Sequence, residues 1–164
     1  MLLIVSYSMF DRDRLPPVVA QAIEDHASFV EDRKPTTLIL GDLAQVSAIM
    51  EKDLGYPMPV PDLSGTGLTF ESGRYCFIEG RRGGAVIYRA EGRPVSFYAL
   101  DRPLEGLESL KSVATSEGRF FLARSGRYAA VPFKMGDLLC ILVSDLTEER
   151  MVELAETILR MGRS

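Results

Sequence analysis

The apolar positions of this chain change period once. Up to Leu54 they recur at helical spacing, and from Leu68 onward they fall into short runs of strand length divided by turn residues. Val19, Ile23, His26 and Val30 form one stripe of a helix over 17–31, which starts at Pro16-Pro17 because proline is tolerated at the first helical position, and which ends before Pro35. Thr36 to Leu40 reads as a short strand. Asp42 and Gln45 stand at capping-box spacing before a second helix over 43–54. Leu43, Val46, Ile49, Met50 and Leu54 make its apolar face and Gly55 its stop. Pro57, Pro59 and Pro61 impose an extended connector that cannot be a central strand.

The second half predicts strands at 68–70, 74–78, 85–89, 95–100, 119–123, 127–133 and 138–143, with a short helical turn across 104–113. Hairpin turns are expected at Glu91-Gly92-Arg93-Pro94 and around Ser125-Gly126. Leu138 to Val143 is an unbroken apolar run, the pattern of a strand covered on both faces. Ser144 to Thr147 then supplies capping oxygens, and Glu148 and Glu149 suit a first helical turn. Met151, Leu154, Ala155, Ile158 and Leu159 lay one face of a helix over 147–161 on the sheet. Helices and one short strand first, then consecutive strands, then a closing helix predict an α+β fold. It is a single two-layer domain, with a mostly antiparallel sheet over 68–143 packed against the helices.

Composition narrows the function classes. A chain of 164 residues suffices for one domain with a full core, and 46% hydrophobic with 26% charged residues excludes whole-chain disorder. A net charge of -4 argues against a general nucleic-acid binder. Between Ser72 and Lys134 eleven Lys or Arg face six acidic residues. Arginines on the solvent face of a sheet explain that excess, and a surface for an anionic partner is the alternative. Met1 to Phe10 is mostly apolar but half the length needed to span a bilayer, and it lacks the flanks of a signal peptide. Residues 1–15 therefore read as an apolar segment and charged spacer, either the remnant of a membrane helix or an edge strand, ahead of a single domain over 16–164.

Three ordered stretches carry a family resemblance. The first is Met135-Gly136-Asp137-Leu138 leading to Val143-Ser144-Asp145-Leu146 and a helix rich in Leu and Ala. The second runs from Val60-Pro61-Asp62-Leu63 through Gly67-Leu68, Gly73-Arg74, Ala85 to Tyr88, and Gly92-Arg93-Pro94-Val95-Ser96-Phe97. The third is Asp25-His26 within the first helix. Together they resemble the extracytoplasmic domain of bacterial transmembrane anti-sigma factors. The chain departs from that family in having no His-x-x-x-Cys-x-x-Cys zinc motif and no Trp before its Gly-Asp pair, where Phe133 and Met135 stand. The resemblance implies a non-enzymatic sensory or interaction domain at the periplasmic or extracytoplasmic face of the inner membrane. Its partner would be an envelope signal or protein, its anchor would precede or include residues 1–10, and it would reach a sigma factor only through an N-terminal domain outside this chain. Without an anchor the module would be cytoplasmic.

Candidate chemistry is sparse. His26, the one histidine, suits a hydrogen-bonded packing role, with a proton sensor as the alternative. Cys76 and Cys140 lie in apolar strand contexts and read as small buried hydrophobes; the alternative is a redox pair or a thiol-dependent or ligand-binding enzyme domain. Arg81-Arg82-Gly83-Gly84 is the one loop suited to an anionic ligand or partner, although it lacks Walker chemistry and a plain hairpin turn accounts for it. Asp62, Asp137 and Asp145 sit beside turns, where local capping explains each. No catalytic, cofactor or metal constellation is expected.

Overall fold

The computed structural model describes residues 15–33 and 36–163. Three helices, α1 (Pro17–Val30), α2 (Leu43–Leu54) and α3 (Glu148–Met161), accompany seven strands. The strands are β1 (Thr69–Ile78), β2 (Arg81–Ala90), β3 (Arg93–Leu100), β4 (Lys111–Ala114), β5 (Arg119–Ser125), β6 (Tyr128–Met135) and β7 (Leu138–Ser144). They form one antiparallel sheet in the order β1-β2-β3-β7-β6-β5-β4, so the last strand lies at the centre and β1 and β4 at the edges. The α+β class is as the sequence reads, but the two layers expected become three, because α1 covers one face of the sheet and α2 and α3 cover the other. Leu139, Ile141 and Val143 of β7 join the core beneath α1, while Cys140 and Leu142 join the core beneath α2 and α3. The unbroken apolar run of the central strand is thus explained by burial on both sides.

Local chemistry sets the helix ends. Asp42 accepts from the Gln45 backbone N–H at 2.8 Å while the Gln45 side chain accepts from the Asp42 N–H, a complete capping box, and Gly55 closes α2 in the left-handed region. Thr147 caps α3 by accepting from the Arg150 N–H at 3.2 Å. The hairpin turns Glu79-Gly80 and Glu91-Gly92 place both central residues at positive φ, the type I′ pattern whose twist matches the strands.

Three further expectations are revised. Thr36 to Leu40 is not a strand; it contributes one bridge, Ile39 to Gly73, beside a bulge between Phe70 and Ser72 that bends the edge of β1. Residues 104–113 are not helical. Gly106 at φ 72° interrupts the chain there, yet Leu104, Leu107 and Leu110 still reach the core from a turn, and Lys111–Ala114 becomes edge strand β4. The α1 helix ends at Val30, ahead of Pro35 as the sequence reads; Pro35 itself lies outside the described residues. Finally, Gly73 and the pair Gly83-Gly84 lie inside strands and not in turns. A Cβ on Gly84 would stand 2.5 Å from Met58 Sδ and 2.9 Å from Met50 Cε, so the bare backbone is what seats α2 on β2. The segment Met1 to Phe10 lies outside the described residues.

Candidate functional site

Beneath α1 the sheet carries a largely buried polar network in an otherwise apolar layer. Arg74 of β1, Ala85 of β2 and Tyr98 of β3 are cross-strand neighbours in one row. Because the middle position is a methyl group, the Arg74 side chain can reach across it to the tyrosine. Its Nη2 donates to the Tyr98 hydroxyl at 3.1 Å and to Asp25 Oδ2 of α1 at 2.5 Å, and the Tyr98 hydroxyl donates to the same carboxylate oxygen at 2.7 Å. The guanidinium also lies 4.7 Å from the centroid of the Phe29 ring, one helical turn beyond Asp25. Arg74 is 3% exposed.

Burial opposes the Arg74 charge, but the Tyr98 and Asp25 oxygens outweigh it and the group's pKa rises above its ordinary value. Burial likewise drives the Tyr98 phenol well above its usual range, with Asp25 adding to it, so Tyr98 remains a hydrogen-bond donor. A second pair adjoins the first. His26 Nδ1 shares a 2.6 Å hydrogen bond with Ser96 Oγ of β3, and the imidazole meets the Tyr128 ring edge-on at 5.1 Å. Burial, with Arg74 nearby, lowers the His26 pKa to about 3, so the imidazole is neutral at physiological pH.

The network opens on one side into a cleft of about 530 Å³ at the sheet edge. Asp25 and Phe29 of α1, Thr37, and Arg74, Phe77 and Arg82 are among its walls. Arg74 Nε, buried beside it, and Ser72 Oγ of the same strand have no hydrogen-bond partner among the described residues. A second hollow, about 680 Å³, lies between α1 and the β5–β6 hairpin, rimmed by Glu24, Glu31, Arg33 and Arg127.

The residues singled out from the sequence do not converge. His26 belongs to the network and is almost fully buried. Arg81 and Arg82 open β2, and Arg82 stacks over the Tyr75 ring at 3.9 Å; Gly83 and Gly84 are buried packing positions whose backbone is covered. Cys76 lies in the core under α1 and Cys140 in the core on the opposite face, so they cannot form a disulfide with each other in this fold. Asp62 accepts from the Ser64 N–H at 3.1 Å, the local turn role expected of it. Among the described residues no three His, Cys, Asp or Glu side chains converge as a metal would require. Arg74, Ser96 and Tyr98 are what residue chemistry alone overlooks. The available signal was the strand period: Arg74 shares a face with Cys76 and Ile78, which places a charge in a core-facing register.

Burial pushes the Cys76 thiol up to about 12 and the Cys140 thiol higher still. Because the thiolate is the reactive form, both cysteines are expected to modify slowly with a thiol reagent at pH 8 in the folded state and fast after denaturation. Rapid native labelling of either one would contradict this.

The geometry defines an α+β domain with a largely buried polar network that opens into a cleft at the sheet edge. No family model matches the chain, and no curated protein or solved structure matches it. Among the described residues no helix is long and apolar enough to cross a membrane.

Proposed function

We propose that this is a sensory or interaction domain of the kind that transmembrane anti-sigma factors hold outside the cytoplasm, relaying an envelope signal through a membrane anchor to a sigma factor. One observation carries the reading. The residues of the family resemblance come from separate stretches of sequence, and Asp25, His26, Arg74 and Ser96 of that set meet in one buried network. A chance likeness of isolated motifs gives no reason for its members to be spatial partners. The same holds for the closing stretch: Val143 and Ser144 end the central strand, and Ser144 Oγ accepts from the Leu146 N–H at 3.2 Å on the way into α3.

A thiol-dependent enzyme built on Cys76 or Cys140 is the weaker alternative, because both sulfurs are buried and held as thiols. The proposal is tested in the native gene. Alkaline phosphatase fused after Ser164 should be active, since that enzyme needs an extracytoplasmic location, and deletion of the gene should raise transcription of one sigma-factor regulon several-fold. An inactive fusion, or a deletion that leaves every such regulon unchanged, overturns the reading.

A further inference from the structure

The β1 edge of the sheet is a receptor for an extended, acidic peptide segment, we infer, which adds to it as an eighth strand in the cleft beside α1. This stands on the edge geometry alone and does not depend on a membrane anchor. Gly73 exchanges both backbone hydrogen bonds with Ile39, at 2.8 and 3.0 Å, so its N–H and C=O point away from β2. By the alternation of an antiparallel ladder, the N–H and C=O of Tyr75 and Phe77 point the same way. The bridge to Ile39 is isolated, and Thr37 of the same segment stands among the walls of the cleft. Among the described residues, no backbone partner occupies the outward groups of Tyr75 and Phe77.

Exposed edges are normally blunted by charge, proline or a covering element. This one instead presents Phe77, 71% exposed, on one face and the Asp25–Arg74 network on the other. An added strand would send alternate side chains to these two faces, the arrangement by which strand addition gains affinity from the main chain and specificity from pockets. A stretch of about four residues at ~3.4 Å each matches the span from Arg74 to Phe77. Charge decides the chemistry of the occupant. Among the described residues Arg74 and Arg82 line the cleft against Asp25 alone, and Arg74 Nε is a buried donor without a partner, which a carboxylate on the incoming strand would satisfy.

The test pans the full chain with a phage-displayed random heptapeptide library and follows the most enriched peptide by hydrogen exchange. Enriched sequences should alternate β-branched with other residues and carry at least one Asp or Glu. The Tyr75 and Phe77 amides should exchange fast in the free chain and at least tenfold more slowly with the peptide. Phe77→Pro removes one outward N–H at a position where an edge strand tolerates proline, so it should weaken binding at least tenfold while leaving the thermal midpoint nearly unchanged. Should that variant not fold, Arg82→Glu serves, with a several-fold loss expected. Absence of enrichment, enrichment of basic peptides, or full binding by the substituted chain overturns the inference. Amides already protected in the free chain would overturn it too, in favour of a second copy if sedimentation shows a dimer and of the chain's own segment if it shows a monomer.

Discussion

Replacing Asp25 with alanine is expected to destabilise the domain by about 3–5 kcal/mol, the usual cost of leaving one partner of a buried ion pair unmatched. The residue left behind is Arg74, 3% exposed, whose charge then keeps only the Tyr98 hydroxyl as an oxygen partner. For a domain of this size the corresponding fall in thermal midpoint is roughly 6–20 °C, readable by circular dichroism. Asp25→Leu combined with Arg74→Met should recover most of the loss, since apolar replacement of both partners removes the desolvation cost along with the pair. Arg74→Lys should not, because an ammonium lacks the flat guanidinium face that lies against Phe29 while Nη2 serves both Asp25 and Tyr98. A midpoint within a degree or two of the parent for Asp25→Ala would mean that the network contributes little to the fold.

Acid should weaken the domain through His26 over a defined window. Its pKa falls from an ordinary 6.5 to about 3 in the folded state, first because burial disfavours the charged ring and then because of Arg74 and Arg127, with Asp25 acting against them. The unfolded chain therefore takes up the proton first, and stability rises with pH wherever it does so. The contribution is complete above 6.5 and is lost by about 1.4 kcal/mol per pH unit between 6.5 and about 3. Urea unfolding at pH 7 and pH 5 should differ by about 2 kcal/mol from this residue. His26→Gln, which can still bond Ser96 Oγ, should remove that part of the difference; an unchanged difference in the variant would refute the assignment. With its pKa lowered to about 3, the His26 ring stays neutral in the folded domain near neutrality.

Much of the architecture was legible because it is written in local chemistry. The capping box at Asp42 and Gln45, the stop at Gly55, the Thr147 cap and the turn at Glu91-Gly92 each depend on residues within a few positions of one another. The places where the reading failed are those where glycine has two uses. Gly73, Gly83 and Gly84 look like turn residues, but they are strand positions kept bare by side chains from elsewhere in the chain, Val46 and Met50 against Gly73 among them. Leu104, Leu107 and Leu110 misled in the other direction: their spacing of three suggested a helix, and a turn suffices to bring all three to the core.

By itself the sequence determined that there is one antiparallel sheet with helices against it, that its last strand is buried on both faces, and that α2 starts and stops, and α3 starts, where the capping residues stand. Period and capping are short-range properties, so no tertiary information is needed to read them. Only the tertiary structure decided that Asp25, Arg74 and Tyr98 share hydrogen bonds, that Cys76 and Cys140 lie on opposite faces, and that the backbone groups of Tyr75 and Phe77 face away from β2. Those outcomes depend on strand order and register, which bring residues 49 and 73 positions apart within hydrogen-bond distance, and no local pattern encodes such a pairing.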